Sequence, residues 1–398
     1  MATEPRVLPR RFGSPAELRA AFEALGVAPE GTARMLPKAE ILFVQVEGAT
    51  LVQANILKQE MLAAGGDAAV RRETVLGGEG RTDVILFGTR PAFEAMLRGL
   101  EGQPFSLPKL GRAVRSFLSR SLPPRWEMGR RALPFRSFPL VMGVLNVTPD
   151  SFSDGGRFDD PAAALERAAQ MVAAGVDIID VGGQSTRPYA RAVPAAEEMD
   201  RVLPVVERIR ASFDVPVSVD TWYPEVARAA LDAGADAVND VTALSSPAML
   251  ELVAERRCGV VLMHMKGTPG TMQDSPHYDR VVEEVAQFLL ERAAAAEEAG
   301  VPSPAIVIDP GIGFGKTLEH NLQLLRRAAD LRALGYRLLI GHSRKSFIGA
   351  LTSRPVSERD PETLALSLLL ASRGCADIIR VHDVESHVRA LSFLEKTR

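Results

Sequence analysis

From residue 139 onward the chain repeats one pattern, a short apolar run followed by a helical stretch. The runs are Leu140–Leu145, Ile178–Val181, Val215–Val219, Ala237–Val238, Val260–Met263, Ile306–Ile308, Leu338–Ile340 and Ile378–Val381. Runs this short and continuously apolar suit strands buried on both faces. The stretches between them, such as Ala162–Ala174, Ala195–Ala211, Pro224–Ala233, Val281–Ala299, Glu319–Leu334 and Glu362–Ser372, carry apolar residues at helical spacing. Eight such units in about 260 residues predict a (β/α)8 TIM barrel over 139–398. A doubly wound sheet is the alternative, although it does not require eight units.

The first hundred residues read as a small, separate α/β domain. Glu40–Glu47 predicts a strand, Thr50–Ala64 a helix ended by Gly65-Gly66, Asp83–Phe87 a strand, and Pro91–Leu100 a helix opened by proline. No acid–base or metal-ligand cluster lies here, so packing or docking is the expected role. Residues 101–138, rich in Pro and Arg, read as a linker with a short helix near Arg112–Arg120. A net charge of -3 leaves no basic footprint for nucleic acid. No apolar run reaches the roughly 18–20 residues of a membrane span. The start, MATEPRVLPRRFGSP, lacks an apolar leader core, and Cys258 and Cys375 belong to no ligand motif. A cytoplasmic location is expected.

In a TIM barrel, chemistry sits on the loops after the strands. Here Asn146 follows the first run and Gln184, Ser185, Thr186 and Arg187 the second. Asp220 ends the third, Asn239-Asp240 the fourth, and Asp309 the sixth. His264 and Lys266 follow the fifth, and Ser343, Arg344 and Lys345 the seventh. Arg380 and His382 bracket the end of the eighth. Carboxylates accept paired N–H bonds from an amidine-like edge, as they do from arginine. Asp220, Asn239 and Asp309 therefore suit the edge of a 2-amino-4-oxo-pterin. Lys345 is placed to donate to the ring, with Met263 and Phe314 as apolar walls. Asn146, Arg187, Arg380 and His382 form a donor-rich arc for phosphate or pyrophosphate. Thr148–Phe158 and Gly182–Val193 are Gly/Pro-rich and expected to act as lids.

These segments also resemble a known family, dihydropteroate synthase. VMGVLNVTPDSFSDGGRF (141–158) and DIIDVGGQSTRP (177–188) are similar to its two signatures. SVDT (218–221), AVNDVTAL (237–244), VVLMHMKGTPGTMQ (260–273), IDPGIGFGKT (308–317), GHSRKSF (341–347) and RVHDV (380–384) follow in family order. The resemblance implies joining of 4-aminobenzoate to 6-hydroxymethyl-7,8-dihydropterin diphosphate, with release of pyrophosphate. It implies catalytic roles for Asp220, Asp309, Lys345 and Asn146, and a pterin pocket completed by Gly341. It further implies an aminobenzoate slot of Phe152, Thr186, Pro188 and Ser346, a Mg²⁺ held by Asn146 and Asp154, and a homodimer through barrel helices. Two positions depart from the family pattern: Gln184 stands where the signature has Glu, and Tyr189 where Gly is usual.

Asn146-Val-Thr is a glycosylation sequon by pattern alone. Pro310–Thr317 falls one glycine short of a phosphate-binding Walker loop, so its glycines read as a tight turn and Lys316 as a solvated loop residue. His264, His342 and His382 lack zinc spacing, and His264 reads as a satisfied rim or core histidine. Trp222 is expected to pack at the rim. Two rival functions share the barrel: a pterin-binding methyltransferase acting on a corrinoid, and a pterin-binding barrel without turnover.

Overall fold

A computed structural model describes residues 10, 12–13, 15–76, 79–148, 161–184, 193–268 and 270–397. It divides into two compact units, Met1–Arg120 and Ser121–Arg398.

The first unit is a three-stranded antiparallel sheet of β1 (Ile41–Thr50), β2 (Asp67–Ala69) and β3 (Arg81–Thr89), in the order β1-β3-β2. Residues of β3 alternate between exposed and buried, as expected of a sheet packed on one face. The helices Leu51–Ala63 and Arg90–Leu100 supply the core opposite that face, through Leu57, Met61, Phe93, Met96 and Leu100. Thr50 caps the first of them, accepting from the Gln53 N–H while the Gln53 side chain accepts from the Thr50 N–H. Two further helices, Pro15–Ala24 and Pro29–Ala39, were not anticipated from sequence.

Within residues 101–138, the short helix expected near Arg112–Arg120 is present. A helix at Leu107–Ser119 places Leu107 and Val114 in the core of the first unit. The second unit opens with a hairpin, β4 (Arg125–Met128) and β5 (Arg131–Pro134), turned at Gly129 with φ +65°.

The barrel follows: β6 (Leu140–Asn146), β7 (Ile178–Gly182), β8 (Val217–Asp220), β9 (Ala237–Asp240), β10 (Gly259–Met263), β11 (Ile306–Asp309), β12 (Arg337–Ile340) and β13 (Ile378–Val381). The strands pair in parallel around a closed ring, β13 returning to β6. Trp126 and Met128 of the hairpin pack against inward residues Leu140, Met142, Ile178, Ala237, Val261, Val307, Leu339 and Ile378. The Trp126 indole N–H donates to Ala305 O at 2.8 Å, just before β11. The hairpin therefore fills the end of the barrel where strands begin. Three aspartates recur at this end. Asp177, Asp236 and Asp377 each precede a strand and accept the N–H of a residue at the start of the neighbouring one: Val141 (2.9 Å), Val217 (2.9 Å) and Leu338 (3.0 Å). Arg136 pairs with Asp177, Arg131 with Asp236 (3.2 Å), and Arg337 with Asp377 (2.6 Å). The Arg131 and Arg136 pairs tie the hairpin segment to the barrel floor, and Arg337, on β12, also donates to Pro123 O at 2.7 Å. Among the described residues, no helix is long and apolar enough to cross a membrane.

Candidate active site

The opposite end of the barrel gathers the strand-end residues singled out in the sequence. Arg380, on β13, is central. Its Nε donates to Asp180 Oδ2 at 2.6 Å and its Nη2 to Asp220 Oδ2 at 2.7 Å. Asn239, on β9, donates from Nδ2 to the same Asp180 oxygen at 3.0 Å. Asp309, at the end of β11, accepts from the Gly311 N–H at 2.7 Å. A Cβ on Gly341 would lie 3.7 Å from Asp309 Oδ2 and 3.9 Å from Arg380 Cβ, which places that glycine between the two. Asn146 lies beside Asp220 in the same way: a Cβ on Gly182 would stand 3.7 Å from Asn146 Oδ1 and 3.5 Å from Asp220 Cβ.

Lys345 is half-buried along its length, and its ammonium reaches into this cluster. It donates to Ile312 O and sits 4.3 Å from the Phe314 ring centroid. Burial lowers the Lys345 pKa to about 7, against the opposing pull of Asp309. Burial likewise pushes the Asp220 carboxyl up to about 7, with Arg380 opposing. Asp309 is raised too, mainly by burial. Met263 and Phe314 pack in one small apolar cluster with Val241 and Met272, and Trp222 and Met265 lie against it. The expected aromatic and thioether walls thus meet, and Trp222 adjoins them.

His382 and Ser343 hold each other: the imidazole Nδ1 is 2.9 Å from Ser343 Oγ, and the His382 backbone N–H donates to that oxygen at 3.2 Å. Ser346 is exposed at the first turn of the Ser346–Thr352 helix. Phe152, Asp154, Thr186, Arg187 and Pro188, and with them Tyr189, lie outside the described residues.

Several strand-end groups prove structural. Asp240 accepts from Thr242 N–H, Thr242 Oγ1 and Leu244 N–H at 2.7–2.8 Å, pinning its own loop. Arg344 makes a two-pronged pair with Asp360, at 2.7 and 2.6 Å. Lys316 is corrected from a solvated residue to a buried one, 3% exposed. Its ammonium reaches His264 Nδ1 (3.0 Å) and Phe314 O (2.9 Å), and burial drives its pKa well below the usual lysine value. The loop holding it has left-handed φ at Gly311, Gly313 and Gly315, and Cβ atoms on the first and third would collide with His264 O and Lys266 O. These glycines serve a tight turn, as expected. Gln184 is buried and donates from Nε2 to Glu198 Oε2 at 2.6 Å, so the departure from the family signature turns toward the helix Ala195–Ser212.

Asp180 escaped the sequence reading. It lies inside a strand, away from the loops, and nothing in its position marks its partners. The available signal was its type: a carboxylate within the apolar run IIDV demands a buried cation or donors.

An eight-stranded parallel barrel whose mouth sets carboxylates and an amide beside an arginine, a lysine and a small apolar cluster has the form of a TIM-barrel enzyme. Comparisons with known proteins agree. Residues 142–382 match the family described as pterin binding enzyme. The dihydropteroate synthase of Escherichia coli (strain K12) is 49% identical over 261 residues, covering 66% of this chain and 92% of that protein. A probable bifunctional folylpolyglutamate synthase/dihydropteroate synthase of Halobacterium salinarum is 44% identical over 387 residues, 96% of this chain. The chain spans 46% of that relative's length. A Xanthomonas albilineans dihydropteroate synthase solved with 7,8-dihydropteroate superposes with a TM-score of 0.63 at 46% identity, over 69% of this chain and 98% of that one. The chain belongs to the pterin-binding enzyme family, among its dihydropteroate synthases.

Proposed function

We propose that the chain condenses 6-hydroxymethyl-7,8-dihydropterin diphosphate with 4-aminobenzoate, giving 7,8-dihydropteroate and pyrophosphate. The observation that carries this reading is the convergence of Asp220, Asn239, Asp309, Lys345 and Arg380 on one mouth, beside Met263 and Phe314. Asp220, Asn239 and Asp309 read the pterin edge, Lys345 donates to the ring, and Gly341 leaves the ring room. As the bond to pyrophosphate breaks, positive charge spreads into the pterin, and the fixed carboxylates offset it. Asn146, Arg187, Arg380 and His382 take the leaving pyrophosphate. The arylamine nitrogen is weakly basic, so no strong general base is required. Phe152, Thr186, Pro188 and Ser346 form the aminobenzoate slot.

Among the described residues, no three His, Cys, Asp or Glu side chains cluster as a metal cage. Mg²⁺ takes few protein ligands and fills its sphere with water and phosphate oxygens, so the Asn146 amide oxygen fits it as one ligand. Asn146 and Asp154 would hold the ion, whose charge neutralises pyrophosphate oxygens. We also propose a cytoplasmic homodimer joined through barrel helices, where Leu369 and Phe393 stand exposed on the adjacent helices Asp360–Ser372 and Val384–Lys396. The test is coupled pyrophosphate release from the pterin diphosphate, with and without 4-aminobenzoate. Release that needs both substrates supports the synthase. Tight pterin binding with no release under any combination overturns it.

A further inference from the structure

We propose that Asp180 is a positioning residue that sets which atoms Asn239 and Arg380 present to the ligand. The proposal rests on the functional reading above and deepens it. Asp180 is fully buried in the middle of β7, and its Oδ2 accepts from both Arg380 Nε (2.6 Å) and Asn239 Nδ2 (3.0 Å). Its other oxygen has no hydrogen-bond partner among the described residues.

A carboxylate can only accept, so Asn239 must turn its NH₂ inward. That leaves its carbonyl oxygen for the mouth. The pterin edge is thereby read at this point by an acceptor, matched to a ring N–H. The same oxygen fixes Arg380. Guanidinium is a rigid planar fork, and holding Nε sets its plane while leaving both Nη groups as outer donors. Nη2 now rests on Asp220 Oδ2 at 2.7 Å. A pterin edge that takes both oxygens of Asp220 displaces that bond. Asp180 then keeps the guanidinium aligned, with its freed N–H groups turned to phosphate oxygens. One side chain, acting only through its two partners, matches the site to both halves of the substrate.

The test measures affinity calorimetrically on the full chain with two separate probes, 6-hydroxymethylpterin and inorganic pyrophosphate. Asn239→Ala is expected to weaken the pterin alone, and Arg380→Ala mainly pyrophosphate. Asp180→Asn is expected to weaken both, each about tenfold, because a charged acceptor serving two donors becomes a neutral amide. The decisive variant is Asp180→Asn combined with Asn239→Asp. It restores a donor–acceptor pair of reversed polarity and still offers an acceptor to the pterin. Pterin affinity should recover relative to Asp180→Asn alone, while pyrophosphate affinity stays low. A merely structural role predicts no such ligand-selective recovery, and its absence overturns the proposal. Melting curves report whether each variant is folded. If Asp180→Asn does not fold, Asp180→Ser, which leaves room for water, is measured on both probes. Loss of both supports the role, and loss of one or neither refutes it. An unmodified chain that binds neither probe overturns the parent reading. One that binds both, and keeps both after Asp180→Asn, overturns this inference alone.

Discussion

Asp220 answers two opposing demands: burial favours its neutral form, and Arg380 at 2.7 Å favours the charged one. Removing its charge alters the mouth while Arg380 keeps Asp180 as a partner. Asp220→Asn is therefore expected to lower kcat/KM about 100-fold or more, the range found when a preorganised charge partner is lost, and to move Tm by only a few degrees. Steady-state kinetics beside a thermal melt checks both. Glu198 offers a second prediction. It is fully buried, with its pKa raised from 4.5 to about 7, first by burial and then by the charge of Asp220 among others. The folded chain thus keeps a proton that the unfolded chain releases above about pH 4.5. That contribution to stability is complete below pH 4.5 and is lost as pH rises through 7. At pH 8 the ionisable group costs on the order of 3 kcal/mol relative to a neutral isostere. Glu198→Gln should consequently raise Tm more at pH 8 than at pH 5. Equal shifts at both pH values would show that Glu198 titrates normally.

Among elements, the β4–β5 hairpin makes the sharpest case. Trp126 is fully buried and packs so closely on Gly259 that a Cβ there would come within 3.0 Å of its ring. Trp126→Ala is expected to destabilise the barrel by about 3–5 kcal/mol, through cavity formation and the lost bond to Ala305. Because the hairpin lies at the end away from the mouth, kcat should change little while the urea midpoint falls. The same hairpin shows where sequence reading stops. The eight barrel strands announce themselves because both faces are buried, and their observed ends lie within two residues of the apolar runs. RWEM and RALP carry Arg, Glu and Pro on a short ribbon, so their local pattern resembles a loop. Only the apolar ring beneath makes Trp126 a core residue. The mouth was legible because its groups stand at strand ends, where loops begin. Asp180 and Lys316 were not, because their meaning lies in partners far along the chain: Arg380, Asn239 and His264. The buried Gln184–Glu198 pair was hidden for the same reason.

At the scale of the whole molecule, the family match at 142–382 falls wholly within the second unit. The Escherichia coli protein matches 66% of this chain, and the Halobacterium salinarum protein 96%. The first unit has its own core of Leu57, Met61, Leu86, Phe93 and Met96, and the barrel unit begins at Ser121, ahead of the hairpin. A chain starting at Ser121 is expected to fold and to retain pyrophosphate release within about threefold, a change under 1 kcal/mol in the barrier. A chain starting at Phe138 loses the hairpin and should melt well below it. A loss above tenfold from the Ser121 start would assign the first unit a part in catalysis. With Trp126 packed across the end of the ring where the strands begin, the two substrates and two products of the proposed reaction would share the opposite end. Under that proposal, pyrophosphate and the joined product would leave against incoming traffic, so accumulated product should queue in front of fresh substrate and slow turnover late in a reaction.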